Sequence, residues 1–231
     1  MPVTYNLTIN NRCPDKVAFL LFTQQPKVDN NDNNQIYTNV FQVSDNTNND
    51  GRGKAEFRIE KKTYAICLTS KKPLGATTNV TTSDYQEVNI GTYTQQASVV
   101  KVLYDQSATA GDLQPATTAA SVNTPPGGFV MTTEVETGDP SWTYPTSNNF
   151  CIGVGAMDSG SVQPLAIFKA KPNKIYNIYP VTKFFVAPAG DYSAGDIIDV
   201  KTYSKGFPVE FKDGNTSITL DYANDYTFHQ V

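Results

Sequence analysis

The sequence predicts an all-β protein: a single-domain antiparallel β-sandwich with long loops, spanning residues 1–231. Three observations carry that expectation. Residues 3–10 alternate, with Val3, Tyr5, Leu7 and Ile9 on one face and Thr4, Asn6, Thr8 and Asn10 on the other. That is the period of two of a half-buried strand. Short segments rich in Val, Ile, Tyr, Phe and Thr recur along the chain, separated by turn formers. No stretch carries the apolar period of an amphipathic helix.

The elements follow in chain order. Residues 17–22 are a continuous apolar run, which suits a strand buried on both faces. The turn between it and the first strand holds Asn10-Asn11 and Pro14-Asp15, so the two read as an N-terminal hairpin. Further strands are expected at 36–43, 54–60, 63–69, 86–93, 98–104, 128–135, 150–157 and 162–170. The remainder fall at 174–179, 183–187, 197–202, 207–211, 217–222 and 225–229. Turn signals separate them, among them Lys72-Pro73-Leu74-Gly75, Pro125-Pro126-Gly127-Gly128 and Pro188-Ala189-Gly190-Asp191. Residues 107–122 read as a long loop, because Gly111, Pro115 and Thr117-Thr118 interrupt their Ala-rich pieces.

Charge narrows the function classes. Charged residues make up 17% of the chain, against roughly 25% in an average domain. The surface must therefore be largely neutral and polar. The net charge is -4 and the pI about 5.0, and the longest basic clusters are the pairs Lys61-Lys62 and Lys71-Lys72. Nucleic acid is a poor partner for such a chain, and the lysine pairs read as turn or edge charges. No apolar run is long enough to span a bilayer. Residues 1–6 carry no secretory signal, so an intracellular protein is expected.

Nucleophilic catalysis needs a base, and His229 is the one histidine. Its place near the end of the chain reads as a surface position. Paired carboxylates could act without it: Glu134 and Glu136 point the same way on a strand, with Asp139 in the turn beyond. Gly153-Val154-Gly155 lacks the third glycine and the helix of a dinucleotide site. It reads as close packing inside a strand. Asn46, Asn48 and Asp50, followed by Gly51, resemble the start of a calcium loop. The twelfth position is Phe57, not the bidentate Glu such a loop requires. The stretch 29–34 is similarly rich in oxygens, and both stretches also read as ordinary turns. Trp142 and Tyr144 form either a sugar platform or a plug for the end of the sandwich. Asn6, Asn79 and Asn215 fit the glycosylation pattern, which has no force without a signal sequence.

Cys13, Cys67 and Cys151 leave an odd thiol. Cys67 and Cys151 lie in apolar strands and should be buried. Cys13 lies in a polar turn, where exposure and a disulfide between molecules are expected. With one histidine and no paired-cysteine spacing, a zinc site is not expected, and no cofactor is implied.

Several stretches carry a resemblance. They are Tyr5-Asn6-Leu7-Thr8-Ile9-Asn10-Asn11 leading to Phe19-Leu20-Leu21-Phe22, then Ile36-Tyr37-Thr38-Asn39-Val40-Phe41, Phe150-Cys151-Ile152-Gly153-Val154-Gly155-Ala156 and Gly190-Asp191-Tyr192-Ser193-Ala194-Gly195-Asp196. Together they resemble a group of all-β proteins of fungi and bacteria that includes octin, the matrix of octahedral vacuolar crystals in mould fungi. The resemblance implies a non-enzymatic, self-assembling structural protein of an intracellular crystal or inclusion, with vacuolar location and gravity sensing as its setting. It brings no catalytic residues. The chain's main partner would then be itself. A carbohydrate-binding sandwich and a carboxylate-based glycosidase are the alternatives.

Overall fold

The computed structural model describes residues 3–32, 34–48, 52–105, 110–115, 126–133, 149–211 and 214–231. Among them are eighteen strands and one five-residue helix. The strands form four sheets packed in pairs, an all-β sandwich architecture with no closed barrel.

The first sheet has the order β18 (Phe228–Gln230), β17 (Ser217–Tyr222), β1 (Thr4–Asn11), β6 (Lys54–Glu60). It packs on the sheet β16 (Phe207–Glu210), β15 (Lys183–Pro188), β2 (Phe19–Thr23), β5 (Val40–Val43). Leu7, Ile9, Phe57 and Leu220 from one sheet meet Phe19, Leu21, Phe41 and Val186 from the other in a common core. The second pair begins with the sheet β10 (Ala110–Pro115), β9 (Val99–Asp105), β11 (Phe129–Thr132), β14 (Ile175–Tyr179), β3 (Lys27–Asp29). It covers the sheet β4 (Ile36–Thr38), β13 (Ser161–Lys169), β12 (Asn149–Asp158), β7 (Thr63–Ser70), β8 (Asp84–Val88). Their core holds Phe129, Met131, Phe150, Ile152, Phe168 and Tyr176. The sandwich thus has two halves, each with its own core. The all-β sandwich expected from the sequence is present, and most pairings are antiparallel; two, β1 with β17 and β9 with β11, are parallel.

The expected N-terminal hairpin does not form. β1 pairs with β17 and β6, whereas β2 pairs with β15 and β5. All five residues of β2 are buried. Beside β1 such a strand would turn one face outward. In the inner sheet Phe19 and Leu21 face one core, and Leu20 and Phe22 a second one with Ala187 and Ile198. Burying both faces decides the placement, since a fully buried large apolar side chain contributes about 1.5–3 kcal/mol.

The expected strand 36–43 is two strands in two sheets. It breaks at Asn39, which is wholly buried. Its backbone N–H donates to the Leu165 carbonyl at 2.9 Å and its Nδ2 to the Gly195 carbonyl at 3.0 Å. Leu165 is itself the unpaired residue of a bulge, because Val154 pairs with Ala166 while Gly155 pairs with Pro164. Proline, lacking a donor, suits that irregularity.

Two expectations about regular structure fail elsewhere. Residues 197–202 do not form a strand: a helix, α1 (Val200–Ser204), starts there because Asp199 caps it, Oδ1 accepting from the Thr202 N–H at 2.6 Å. The expected loop 107–122 contains β10, paired with β9 from Ala110 to Pro115.

Candidate functional site

The two halves meet along β12 and β13. β12 is ten residues long, and Val154 belongs to one core while Ala156 belongs to the other. The bulge turns the Leu165 side chain onto both cores. Above this junction lies a cleft of about 340 Å³, floored by Val154, Ala156 and Leu165 and walled by Ile59, Val88 and Phe184. Its mouth carries Glu60, Lys61, Lys62 and Glu87 with Thr63 and Thr182, and the buried Thr23 lies deeper in its lining. Lys62 Nζ and Glu87 Oε2 are paired at 2.7 Å, and that hydrogen bond raises the lysine's pKa. A second hollow of about 440 Å³ is lined by Tyr37, Thr38, Ile197, Asp199 and Tyr203. Its carboxylate is already engaged by the Thr202 N–H and, at 3.0 Å, by the Tyr192 hydroxyl.

Of the residues singled out from the sequence, those that are described do not converge on either hollow. His229 sits exposed on β18. Thr227 Oγ1 lies 2.6 Å from Asp225 Oδ1 and 2.8 Å from His229 Nε2. The hydroxyl gives its single proton to the carboxylate, so the imidazole donates to it. The threonine therefore stands between acid and imidazole, whereas a nucleophile needs the imidazole in the middle. Glu134, Glu136, Asp139, Trp142 and Tyr144 lie outside the described residues, as does Asp50 of the calcium loop. Asn46 and Asn48 are exposed beside it, and the Asn48 carbonyl accepts from Asn11 Nδ2 at 3.3 Å. In the other oxygen-rich stretch the acids face lysines: Asp29 pairs with Lys27 at 2.9 Å, and Asp32 with Lys171 at 3.3 Å and Lys174 at 2.9 Å. Among the described residues, no three His, Cys, Asp or Glu side chains gather where they could hold a metal. Asn79 Nδ2 donates to the Ala194 carbonyl and to Asp196 Oδ1, so this amide is already engaged.

The thiols need one correction. Cys67 and Cys151 are fully buried, as expected, and they face opposite sides of their sheet, in different cores. Burial pushes the Cys151 thiol up to about 12. Cys13, expected to be exposed, is 1% exposed. Its turn folds inward: Asn11 Oδ1 accepts from the Cys13 N–H at 3.1 Å, Asn11 Nδ2 donates to the Asp15 carbonyl at 2.8 Å, and the Cys13 thiol donates to that carbonyl at 3.4 Å. The basis for a Cys13 disulfide between molecules is removed. Under native conditions a water-soluble thiol reagent should label none of the three cysteines within minutes, and all three in denaturant. Rapid modification of one thiol in the folded protein would contradict this.

Among the described residues, four carboxyl groups are held below their ordinary value by the donors that bond them. Asp29 has Lys27 and then Tyr179, Asp32 has Lys174 and then Lys171, Asp199 has the Thr202 N–H and then Tyr192, and Asp225 has Thr227. A carboxyl with a lowered folded pKa contributes stability above its unfolded value, near 3.8. That stability is lost as pH falls through the folded pKa. The melting temperature should therefore hold from pH 7 to 5 and fall below about pH 4, less steeply in Asp32→Asn. A marked decline already between pH 7 and 5 would contradict this.

Among family models, RhiA matches residues 2–230. The chain belongs to the RhiA family. It finds no match among curated proteins or among solved structures. In this RhiA-family chain no described helix is long and apolar enough to cross a membrane. The cleft's residues come from strands and loops between Tyr5 and Phe184. In the sequence the Lys61-Lys62 pair was a visible hint of the mouth, and it reads equally well as turn charge.

Proposed function

We propose that this RhiA-family chain is a non-enzymatic protein that associates with copies of itself into an ordered solid. The observation that carries the reading is the charge economy of the surface. Charged residues are sparse at 17%, and acids and bases are matched locally: Lys27 with Asp29, Lys62 with Glu87, Lys183 with Glu210, and Lys171 and Lys174 with Asp32. A surface of this kind can form lattice contacts through neutral Asn, Thr and Tyr groups without stripping water from isolated ions, the costly step in burying charge. The net charge of -4 disappears near the pI of about 5.0, which removes long-range repulsion between molecules.

The resemblance to octin extends the proposal to a dense crystal in an acidic vacuole, where sedimentation would report gravity. The lowered aspartates are compatible with it, since they stay ionised and bonded at pH 5. Purified protein taken from about pH 7.5 to about pH 5, either side of the charge crossover, should give microcrystals that diffract and redissolve on return. Full solubility or amorphous precipitate would overturn the proposal. Glycan-array binding would then favour a lectin, and hydrolysis of chromogenic glycosides a glycosidase.

A further inference from the structure

We propose that the cleft between the two halves of the sandwich is a binding site for a small, uncharged, mainly apolar molecule. The proposal is independent of self-assembly. The cleft, of about 340 Å³, has room for several waters or one small molecule. The cleft is produced by a built feature, since the bulge at Leu165 and the passage of β12 from one core to the other leave Val154, Ala156 and Leu165 beneath it. The small side chain of Ala156 keeps the floor open; a Leu or Phe there would fill it. Waters against such walls have few hydrogen-bond partners, so an apolar molecule displaces them favourably.

The mouth selects the charge of the ligand. Two acids, Glu60 and Glu87, face two bases, Lys61 and Lys62, and the Lys62–Glu87 pair is closed at 2.7 Å. An ionic head of either sign would meet a like charge and compete with an ion pair already made. A neutral molecule meets neither obstacle, and Thr63 and Thr182 stand ready for a hydroxyl or carbonyl on it. At about 340 Å³ the cleft lies at the lower end of the about 300–1,000 Å³ range of small-molecule sites.

The test uses the purified full chain and the neutral probe N-phenyl-1-naphthylamine, titrated by fluorescence at pH 7.5. A saturable one-to-one enhancement is expected. The anionic relative 1-anilinonaphthalene-8-sulfonate should bind at least tenfold more weakly. Ala156→Phe fills the floor and should weaken the neutral probe at least tenfold. Thr182→Trp covers the mouth from an exposed position, should do the same, and decides the matter if the first variant fails to fold. Absence of saturable binding overturns the proposal. So does sulfonate binding as strong as that of the neutral probe, or undiminished binding in a folded Thr182→Trp protein.

Discussion

Replacing Gly153 by alanine is expected to be strongly destabilising. A Cβ at this position would overlap the Ala166 carbonyl oxygen and lie 2.9 Å from the Ile167 Cα. Both atoms are backbone of β13, the strand paired with β12 at this point. A side chain can rotate away from an intruding methyl group, but a paired backbone cannot move without parting the ladder. Overpacking in cores costs about 1–3 kcal/mol and occasionally more; this site belongs at or above the top of that range. For a chain of this size about 3 kcal/mol corresponds to a fall in melting temperature of roughly 6–12 °C. Gly75→Ala is the matched control, because its Cβ would meet nothing within 4 Å and its φ is not positive. It should change stability by less than about 1 kcal/mol. Wild-type melting of Gly153→Ala in a scanning fluorimeter would show that β12 and β13 leave room for a methyl group at this position.

Phe19→Ala carries the second large effect. The ring is fully buried where the inner sheet meets the outer one. It lies edge-on to Tyr222 at 5.2 Å and to Phe228 at 5.8 Å. Truncating a buried Phe costs about 3–5 kcal/mol, the lost transfer energy plus the cavity left behind. That is a large share of the about 5–15 kcal/mol that separates folded from unfolded protein. Urea denaturation should show the loss directly. Amide exchange should quicken first in β18, whose Phe228 rests on the missing ring. A change below about 1 kcal/mol would mean that the aromatic cluster closes over the gap.

These two sites also mark what the sequence makes legible. β1, β6 and β17 stand within a residue of their expected limits, because each alternates apolar and polar positions and so declares which face is buried. The packing role of Gly153 was legible for a related reason, since glycine inside a strand points to a close neighbour. Sheet membership was not. Asn10-Asn11 and Pro14-Asp15 announce a turn, and a turn alone does not say whether the next strand lies beside β1 or across the core from it. Asn39 looks like one more polar residue in an alternating run, yet it marks the change of sheet. Ile197 and Ile198 favour a strand locally, and Asp199 overrides them by capping a helix. β10, Ala-Gly-Asp-Leu-Gln-Pro, has almost no strand-forming composition and owes its form to β9. Cys13 was misjudged because a polar turn can still fold its one apolar atom inward. The cleft is the extreme case: its floor comes from β12 and β13 and its mouth from the β6–β7 turn and β8, so no local pattern spells it out.

The parallel pairing of β1 with β17 has a consequence for how the protein is made. Asn10 Nδ2 donates to Asp221 Oδ1 at 2.7 Å across a sequence separation of 211 residues. β1 therefore has one neighbour, β6, early in translation and lacks the other until residues 217–222 have been made. At about 5–20 residues per second, the wait between the end of β6 and the start of β17 is roughly 8–30 s. Throughout it the bare edge of β1 is a template for any passing strand. The half of the sandwich whose first strand emerges earliest from the ribosome is completed last, after the other half has had every strand it needs. Folding speed should accordingly be limited by the docking of β17, and a chain ending before residue 217 should collect as aggregate even though most of its core residues are present.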